Sequence, residues 1–312
     1  MLLDLKHLLL GSQSKFANIW RNTLKILILP LNSILFLTIC FLLNPKIIHA
    51  HPIYYGLICK ILNKKYIVTP QGSELLIRAK NNYLYRFIAG KILRGAKSIT
   101  TDSDLMKKTI NNLFKLDSYV IQNGIDCSSI VKIKADESLS KDKFLLSFRS
   151  IHENYRILEI VKSRNDSAPN IPIYFVYPFF DDVYFSEVKK YLKPFDKLLG
   201  TVKKKILYSL MANSIAAISI PVSDSSPKSV YESIFSGAPT ILRDNPYQNY
   251  MTDSMKSRVI NVAKGELTNS NWLSNSIKKA KYISKDYIPC KLSYEKFDSQ
   301  FILNSIYSIL YT

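Results

Sequence analysis

The sequence predicts an α/β protein of two domains, each a parallel sheet wound with helices. Three observations carry that prediction. Short apolar runs recur along the chain and alternate with segments of helical period, the pattern of strand–helix–strand units. The runs end in polar loops, several with Gly or Asn, and a parallel sheet gathers its ligands at such strand ends. A length of 312 residues suits about two domains.

The elements follow in order. Met1–Leu10 is apolar but carries Asp4, Lys6 and His7, and no small-residue cleavage site follows, so it makes a poor secretory signal. Leu24–Leu43 is 20 largely aliphatic residues, close to the length that spans a bilayer. Lys25, Pro30 and Asn32 interrupt it. It is read as a buried strand, Lys25–Leu29, then a helix from Asn32; a spanning helix is the alternative. Pro45–His51 is a strand led by proline, and Pro52–Leu62 a helix with Tyr55, Ile58, Cys59 and Leu62 on one face. Tyr66–Thr69 is the next strand, followed by Pro70, Gln71, Gly72, Ser73 and Glu74. Ser98–Thr101 and Tyr119–Ile121 are two more, separated by the helix Asp104–Phe114. The second runs into Gln122, Asn123, Gly124, Ile125 and Asp126.

Cys127–Asp142 is polar and is read as the linker, which gives domains of residues 1–138 and 139–290 and a closing helix over 291–312. Phe144–Phe148 opens the second domain as a strand that ends at Arg149. Ile173–Val176 is a further strand. Gly200, Thr201, Val202 and Lys203 lead into a helix with Ile206, Leu207, Leu210 and Met211 at apolar spacing. Ile215–Val222 is long enough for a buried strand. After it, Ser226 suits a helix N-cap and Pro227 the first helical position. Val230, Tyr231, Ile234 and Phe235 fall at helical spacing, Gly237 stops the helix, and a strand starts at Thr240. The last helix, from Tyr294, carries Phe297, Phe301, Ile302, Ile306 and Ile309.

Two acids frame the loop and helix after Val222. Asp224 stands past the strand end, and Glu232 lies in the helix with seven residues between. The N–H groups of Lys228, Ser229 and Val230 head that helix, where an anion is favoured. A diphosphate there would place one attached group near Asp224 and the other near Glu232, and carboxylates accept well from sugar hydroxyls. Taken alone, the pair also reads as a loop acid and a solvated helix residue.

Net charge is +19, from 43 basic and 24 acidic residues, which implies an anionic partner or a lysine-rich solvated surface. The lysines are scattered, without zinc-finger spacing or an aromatic RNA-binding signature, so nucleic acid is not expected. Cys40, Cys59, Cys127 and Cys290 show no metal-ligand spacing and no disulfide framework, and are read as reduced thiols of a cytosolic protein. His7, His49, His51 and His152 form no helical metal motif.

The stretch Ser223–Pro239 resembles the signature of retaining glycosyltransferase family 4, of the GT-B fold. Members carry an acid, seven residues and a Glu, then a Gly-x-Pro turn; here Asp224 stands where many have Glu. Pro45–His51 resembles the family's Pro-Asp-Ile-Ile-His-x-His, Pro70–Glu74 its Pro-His-Gly-x-Asp, Gln122–Asp126 its Pro-Asn-Gly-Ile-Asp, and Gly200–Val202 its Gly-x-Val. Order and approximate spacing match as well. Gln71 replaces a histidine found beside the donor sugar in many members. The usual glycine-rich loop has no counterpart among the 48 residues before His49, where Gly11 is the lone glycine, so the first domain reads as shortened at its start.

The resemblance implies two Rossmann-like domains facing a cleft, with the closing helix returning to the first. Asp224 would face the donor sugar and Glu232 the ribose. Arg149 would bind the diphosphate, with Arg156 or the residue at Asn154 in the place of a second cation; without the resemblance, Arg149 is equally a surface residue. Ser226, Lys228, Ser229, Val230 and Gly124 would complete the donor site. His51, Gln71, Gly72 and Glu74 would lie on the acceptor side, with strand-end packing favoured for His49. The implied activity is transfer of a sugar from a UDP- or GDP-sugar to a lipid-linked saccharide, as in O-antigen or capsule assembly. No metal or other cofactor is expected, and no Asp-x-Asp motif is present. The chain would work in the cytoplasm, peripheral on the anionic inner face of the plasma membrane. A degenerate GT-B subunit that scaffolds a partner enzyme is the second reading, and a nucleotide-sugar epimerase the third.

Overall fold

A computed structural model describes residues 23–24, 27–131, 133, 143–284 and 286–310. The chain divides into two compact units. The first runs to Asn123 and takes in the chain from Gln300; the second is Gly124–Ser299. Each is an α/β unit with an all-parallel sheet, four strands in the first and six in the second.

In the first unit, Ile48–Ala50 (β1), Tyr66–Val68 (β2), Ser98–Thr101 (β3) and Tyr119–Val120 (β4) lie in chain order. Leu29–Leu43 (α1), Ile53–Ile61 (α2), Tyr83–Arg94 (α3) and Asp104–Phe114 (α4) accompany them. Val68, Leu75, Ala89, Leu93, Met106 and Phe114 belong to one buried cluster. Of the strand expected over Lys25–Leu29, Lys25 and Ile26 lie outside the described residues; Leu27 is helical instead, and α1 begins at Leu29. Leucines, which carry no branch at Cβ, favour a helix, and Pro30 in its first turn removes an N–H that needs no partner there. Among the described residues no helix is long and apolar enough to cross a membrane, and α1 has 15 residues.

In the second unit the strands are Leu145–Ser147 (β5), Ile173–Val176 (β6), Lys197–Gly200 (β7), Ala216–Ser219 (β8), Thr240–Arg243 (β9) and Val259–Val262 (β10). Their spatial order is β10-β9-β8-β5-β6-β7. The chain builds outward from β5 to β7, then crosses back to lay β8 on the other side of β5. Strand order therefore reverses between β5 and β8, and open α/β sheets bind ligands at the carboxyl ends beside such a reversal.

Both faces of this sheet are covered. Leu145, Ile173, Ala216 and Ile241 join one core with Ile157–Ser167 (α5), Asp182–Lys189 (α6) and Trp272–Lys281 (α9). Their neighbours Leu146, Tyr174, Ala217 and Leu242 join the other, with Lys204–Asn213 (α7), Lys228–Phe235 (α8) and Lys291–Phe297 (α10). The side-chain period of two puts successive residues on opposite faces, which is why the central strands read as unbroken apolar runs. Val230, Tyr231, Ile234 and Phe235 on α8 are buried, worth about 1.5–3 kcal/mol each.

Arg164 on α5 and Asp196 before β7 form a fully buried ion pair, with Nη1 and Nη2 donating at 2.7 and 2.5 Å. Asp196 also accepts from the N–H groups of Ile173 and Lys193. Cys127 and Ile130, placed in the linker by sequence, lie in the core of the second unit. The closing helix is two helices, α10 and Ser299–Leu310 (α11), broken at Asp298. There the chain turns extended to pair with Ile125: the Ile125 N–H donates to Phe297 O at 2.8 Å and the Ser299 N–H to Ile125 O at 2.9 Å.

Candidate functional site

The carboxyl ends of β5, β6, β7 and β8 surround a cavity of about 440 Å³. Phe148, Arg149 and Ser150 line it after β5, Val176 and Pro178 at the end of β6, and Thr201, Val202, Lys204 and Leu207 after β7. Pro227, Lys228, Ser229 and Glu232 line it from the start of α8, and Tyr155 completes the wall. All of these residues belong to the second unit.

Arg149 is the best-fixed group. Its Nη2 donates to Asp224 Oδ2 at 2.6 Å and its Nη1 to Ser229 Oγ at 3.1 Å. The guanidinium carbon stands 4.5 Å from the centre of the Tyr155 ring, a cation–π contact. Burial works against its charge, but Asp224 and Tyr155 outweigh it and hold its pKa above the ordinary arginine value.

Glu232 is buried, 4% exposed, on the first turns of α8. Its Oε1 accepts from Tyr208 Oη at 3.0 Å and from Lys204 Nζ. Its Oε2 has no partner among the described residues. Burial, then the nearby Glu232 charge, push the Tyr208 hydroxyl pKa well up, so it stays a donor.

The helix start differs from the sequence expectation. Pro227 sits at the N-cap, with ψ of 103°, and α8 begins at Lys228. Pro227 O accepts from the Val230 N–H at 3.0 Å, so Val230 is not one of the open donors; Lys228 and Ser229 are the ones that head the helix. Ser226 is buried below, its hydroxyl 3.4 Å from that of Tyr231.

The loop that carries Asp224 is pinned from two sides. Arg243 Nη1 donates to the carbonyls of Pro221 and Val222, and Asn154 Nδ2 to that of Ser223 at 3.1 Å. Asn154 thus holds backbone in the place where a second cation was sought. Arg156 does not line the cavity; it is in the left-handed region at φ 53°, at the head of α5. The second and third cations at the cavity are Lys204 and Lys228. Sequence reading missed Lys204 and Tyr155; the pattern carries no mark of either, because only the strand order brings residues after β5, β7 and β8 together. Asp224 does not line the cavity itself and reaches it through Arg149.

Gly124 does not line the cavity either. A Cβ there would stand 2.7 Å from Ser299 Cα, so glycine is needed for the close approach of the two segments at the Ile125 pairing. In the first unit, Glu74 is buried and its Oε2 accepts from the N–H groups of Gln71, at 2.9 Å, and Ile53, at 3.2 Å. It ties the loop after β2 to the head of α2 and is not open to a ligand through that oxygen. His49 Nε2 shares a 2.7 Å hydrogen bond with Thr69 Oγ1. His51 and Gln71 are exposed, and Gly72 half-buried between Gln71 and Ser73. Among the described residues no three His, Cys, Asp or Glu side chains cluster as a metal site.

The cavity therefore offers three cations, two open N–H groups, a buried carboxylate with a free oxygen, and an aromatic wall. That set suits an anion joined to a hydroxyl-bearing group.

No protein-family model matches the chain, and no curated protein matches it. Solved structures do. Anabaena HepE (Alr3699), in complex with UDP and glucose, matches with a TM-score of 0.69 and 15% identity, over 85% of this chain and 77% of that one. Sucrose-phosphate synthase from Thermosynechococcus elongatus matches with a TM-score of 0.73 and 12% identity, over 91% and 78%. A glycosyltransferase from Rickettsia africae matches with a TM-score of 0.63 and 16% identity, over 96% and 82%. The likeness shows the fold, the α/β GT-B fold of such enzymes.

Proposed function

We propose that this protein is a retaining glycosyltransferase that moves a sugar from a nucleoside-diphosphate sugar to a lipid-linked saccharide in bacterial surface-polysaccharide assembly. The observation that carries the reading is the convergence of Arg149, Lys228, Lys204 and the head of α8 with Glu232 at the strand-order reversal of the second unit. The fold likeness supports it, since HepE was crystallised with UDP and with UDP-glucose.

The donor diphosphate rests against Arg149, Lys228 and the N–H groups of Lys228 and Ser229. Glu232 accepts from the ribose through Oε2 while Lys204 and Tyr208 hold Oε1. Asp224 orients the donor sugar. As the acceptor oxygen bonds the anomeric carbon, the bond to the diphosphate breaks and the electron pair leaves on the diphosphate. The acceptor proton goes to the departing phosphate or to water. Preformed cations and helix N–H groups stabilise the charge that develops on the leaving group. Retention, the acceptor and the membrane location follow from the resemblance of the motifs and the basic charge. The donor and acceptor are substrates, and no further cofactor enters the scheme.

A non-catalytic GT-B subunit that scaffolds a partner enzyme is the second reading. Gln71, which cannot titrate, in the place of the family's histidine favours it. Calorimetry with UDP, GDP, ADP and dTDP on the wild type and Glu232→Ala separates the two. The transferase reading expects one nucleotide to bind the wild type, Glu232→Ala to bind it at least about tenfold more weakly, and free nucleotide to be released from the matching sugar donor when a lipid-linked acceptor is added. No binding of any of the four overturns it in favour of the scaffold.

A further inference from the structure

α3 is apolar on both faces. One face, with Ala89, Ile92 and Leu93, is buried in the core of the first unit. The other carries Tyr83, Leu84, Phe87 and Ile88, which are 76, 67, 52 and 40% exposed. Positions 83, 84, 87 and 88 share one side of a helix, so these four side chains form a continuous stripe in water. A stripe of this kind on a soluble unit marks a binding surface.

The charge along this stretch of chain is one-sided. From Leu75 to Thr101 the chain has six cations, Arg78, Lys80, Arg86, Lys91, Arg94 and Lys97, and no acid. Five of them are exposed and Arg86 is half-buried. Lys91 Nζ lies 4.6 Å from the centre of the Phe87 ring and the Arg86 guanidinium carbon 5.7 Å from that of Tyr83, so two cations stand directly at the stripe. α1, in the same unit, is free of charge and exposes Leu31, Ile34, Phe41 and Leu42.

We infer that the exposed face of α3 docks the protein on an anionic phospholipid surface. The apolar stripe enters the acyl boundary while the flanking lysines and arginines stay at the headgroups. A second copy of the chain is a poor occupant, because a symmetric contact would bring the two sets of cations together. A nucleic acid would satisfy the cations but leave Leu84 and Ile88 in water. The inference rests on the membrane part of the proposed function and names the face that performs it. Donor binding by the second unit stands or falls separately.

Flotation of the full chain with vesicles tests it. The wild type is expected to float with phosphatidylcholine–phosphatidylglycerol vesicles and not with phosphatidylcholine alone, and to be released by high salt. Lys80→Gln with Lys91→Gln should weaken binding roughly 25-fold, at about fivefold per cation. Leu84→Ser with Phe87→Ser should weaken it about tenfold or more, with an unchanged melting temperature because both positions are exposed. Binding that ignores lipid charge, or survives both double variants, overturns the inference. So does a wild type that fails to float, and a stripe whose loss converts a dimer to a monomer in sedimentation. Nucleotide titration of the same variants should match wild type, so failure of the membrane face is distinguishable from failure of the donor site.

Discussion

Asp224→Asn separates binding from turnover in a way few substitutions here do. The Asp224 carboxylate accepts from Arg149 Nη2 at 2.6 Å, and the two side chains are only 17 and 9% exposed. A nucleoside diphosphate must draw the same guanidinium toward its phosphates, so Asp224 competes with it. A fully buried pair would cost 3–5 kcal/mol to break, but this one touches solvent and a phosphate replaces the lost partner, so the competing term is about 1–2 kcal/mol. Removing the charge should tighten the binding of UDP or GDP, whichever the site takes, roughly fivefold to thirtyfold. Arg149 keeps its contacts to Ser229 and Tyr155, so its position survives. Transfer should move the other way, falling about 10²–10³-fold as the donor sugar loses its orienting carboxylate. Calorimetry for affinity and nucleotide release for turnover read the two effects independently. A variant that binds the diphosphate more weakly than wild type refutes the competition for Arg149.

Three further outcomes follow from the same geometry. Asp196→Ala strips the partner from fully buried Arg164 and should lower stability by about 3–5 kcal/mol in urea unfolding, with little effect on nucleotide affinity once folded. Gly124→Ala puts a Cβ against the Ser299 backbone and should cost about 1–3 kcal/mol of stability, again without changing nucleotide affinity. Iodoacetamide near neutral pH should modify Cys290 first. It is exposed and its thiol pKa is lowered by Ser293, whereas Cys40, Cys59 and Cys127 are buried and the Cys59 thiol is pushed up to about 11 by burial.

The central strands of the second unit were legible because burial on both faces leaves an unbroken apolar run: Phe144–Phe148, Ile173–Val176 and Ile215–Val222 stand out in the chain. The edge strands were not. β7 carries Lys197 and ends at Gly200, and β10 alternates Asn261 with apolar neighbours, so neither reads as buried. Asp224 and Glu232 are singled out by their spacing and Arg149 by the family resemblance; in the structure Arg149 and Glu232 line one cavity, and Asp224 touches it through Arg149. Lys204 was hidden, because its place beside Glu232 depends on α7 packing against α8. Glu74 shows the opposite error. A polar residue after a strand looks like a ligand, but its side chain turned inward to satisfy the Gln71 and Ile53 N–H groups. Which way such a residue points is decided by backbone donors that the linear sequence does not display. Ser226 misled for a related reason, since Pro227 in an extended conformation took the cap position and closed the first turn with its own carbonyl.

Amide hydrogen exchange, with and without saturating nucleoside diphosphate, bears most directly on where the leaving group rests. Slowed exchange confined to the peptides spanning residues 149–155 and 226–232 is the predicted result, strongest at the Lys228 and Ser229 amides. Nucleotide that binds yet leaves those two peptides unprotected would contradict the account.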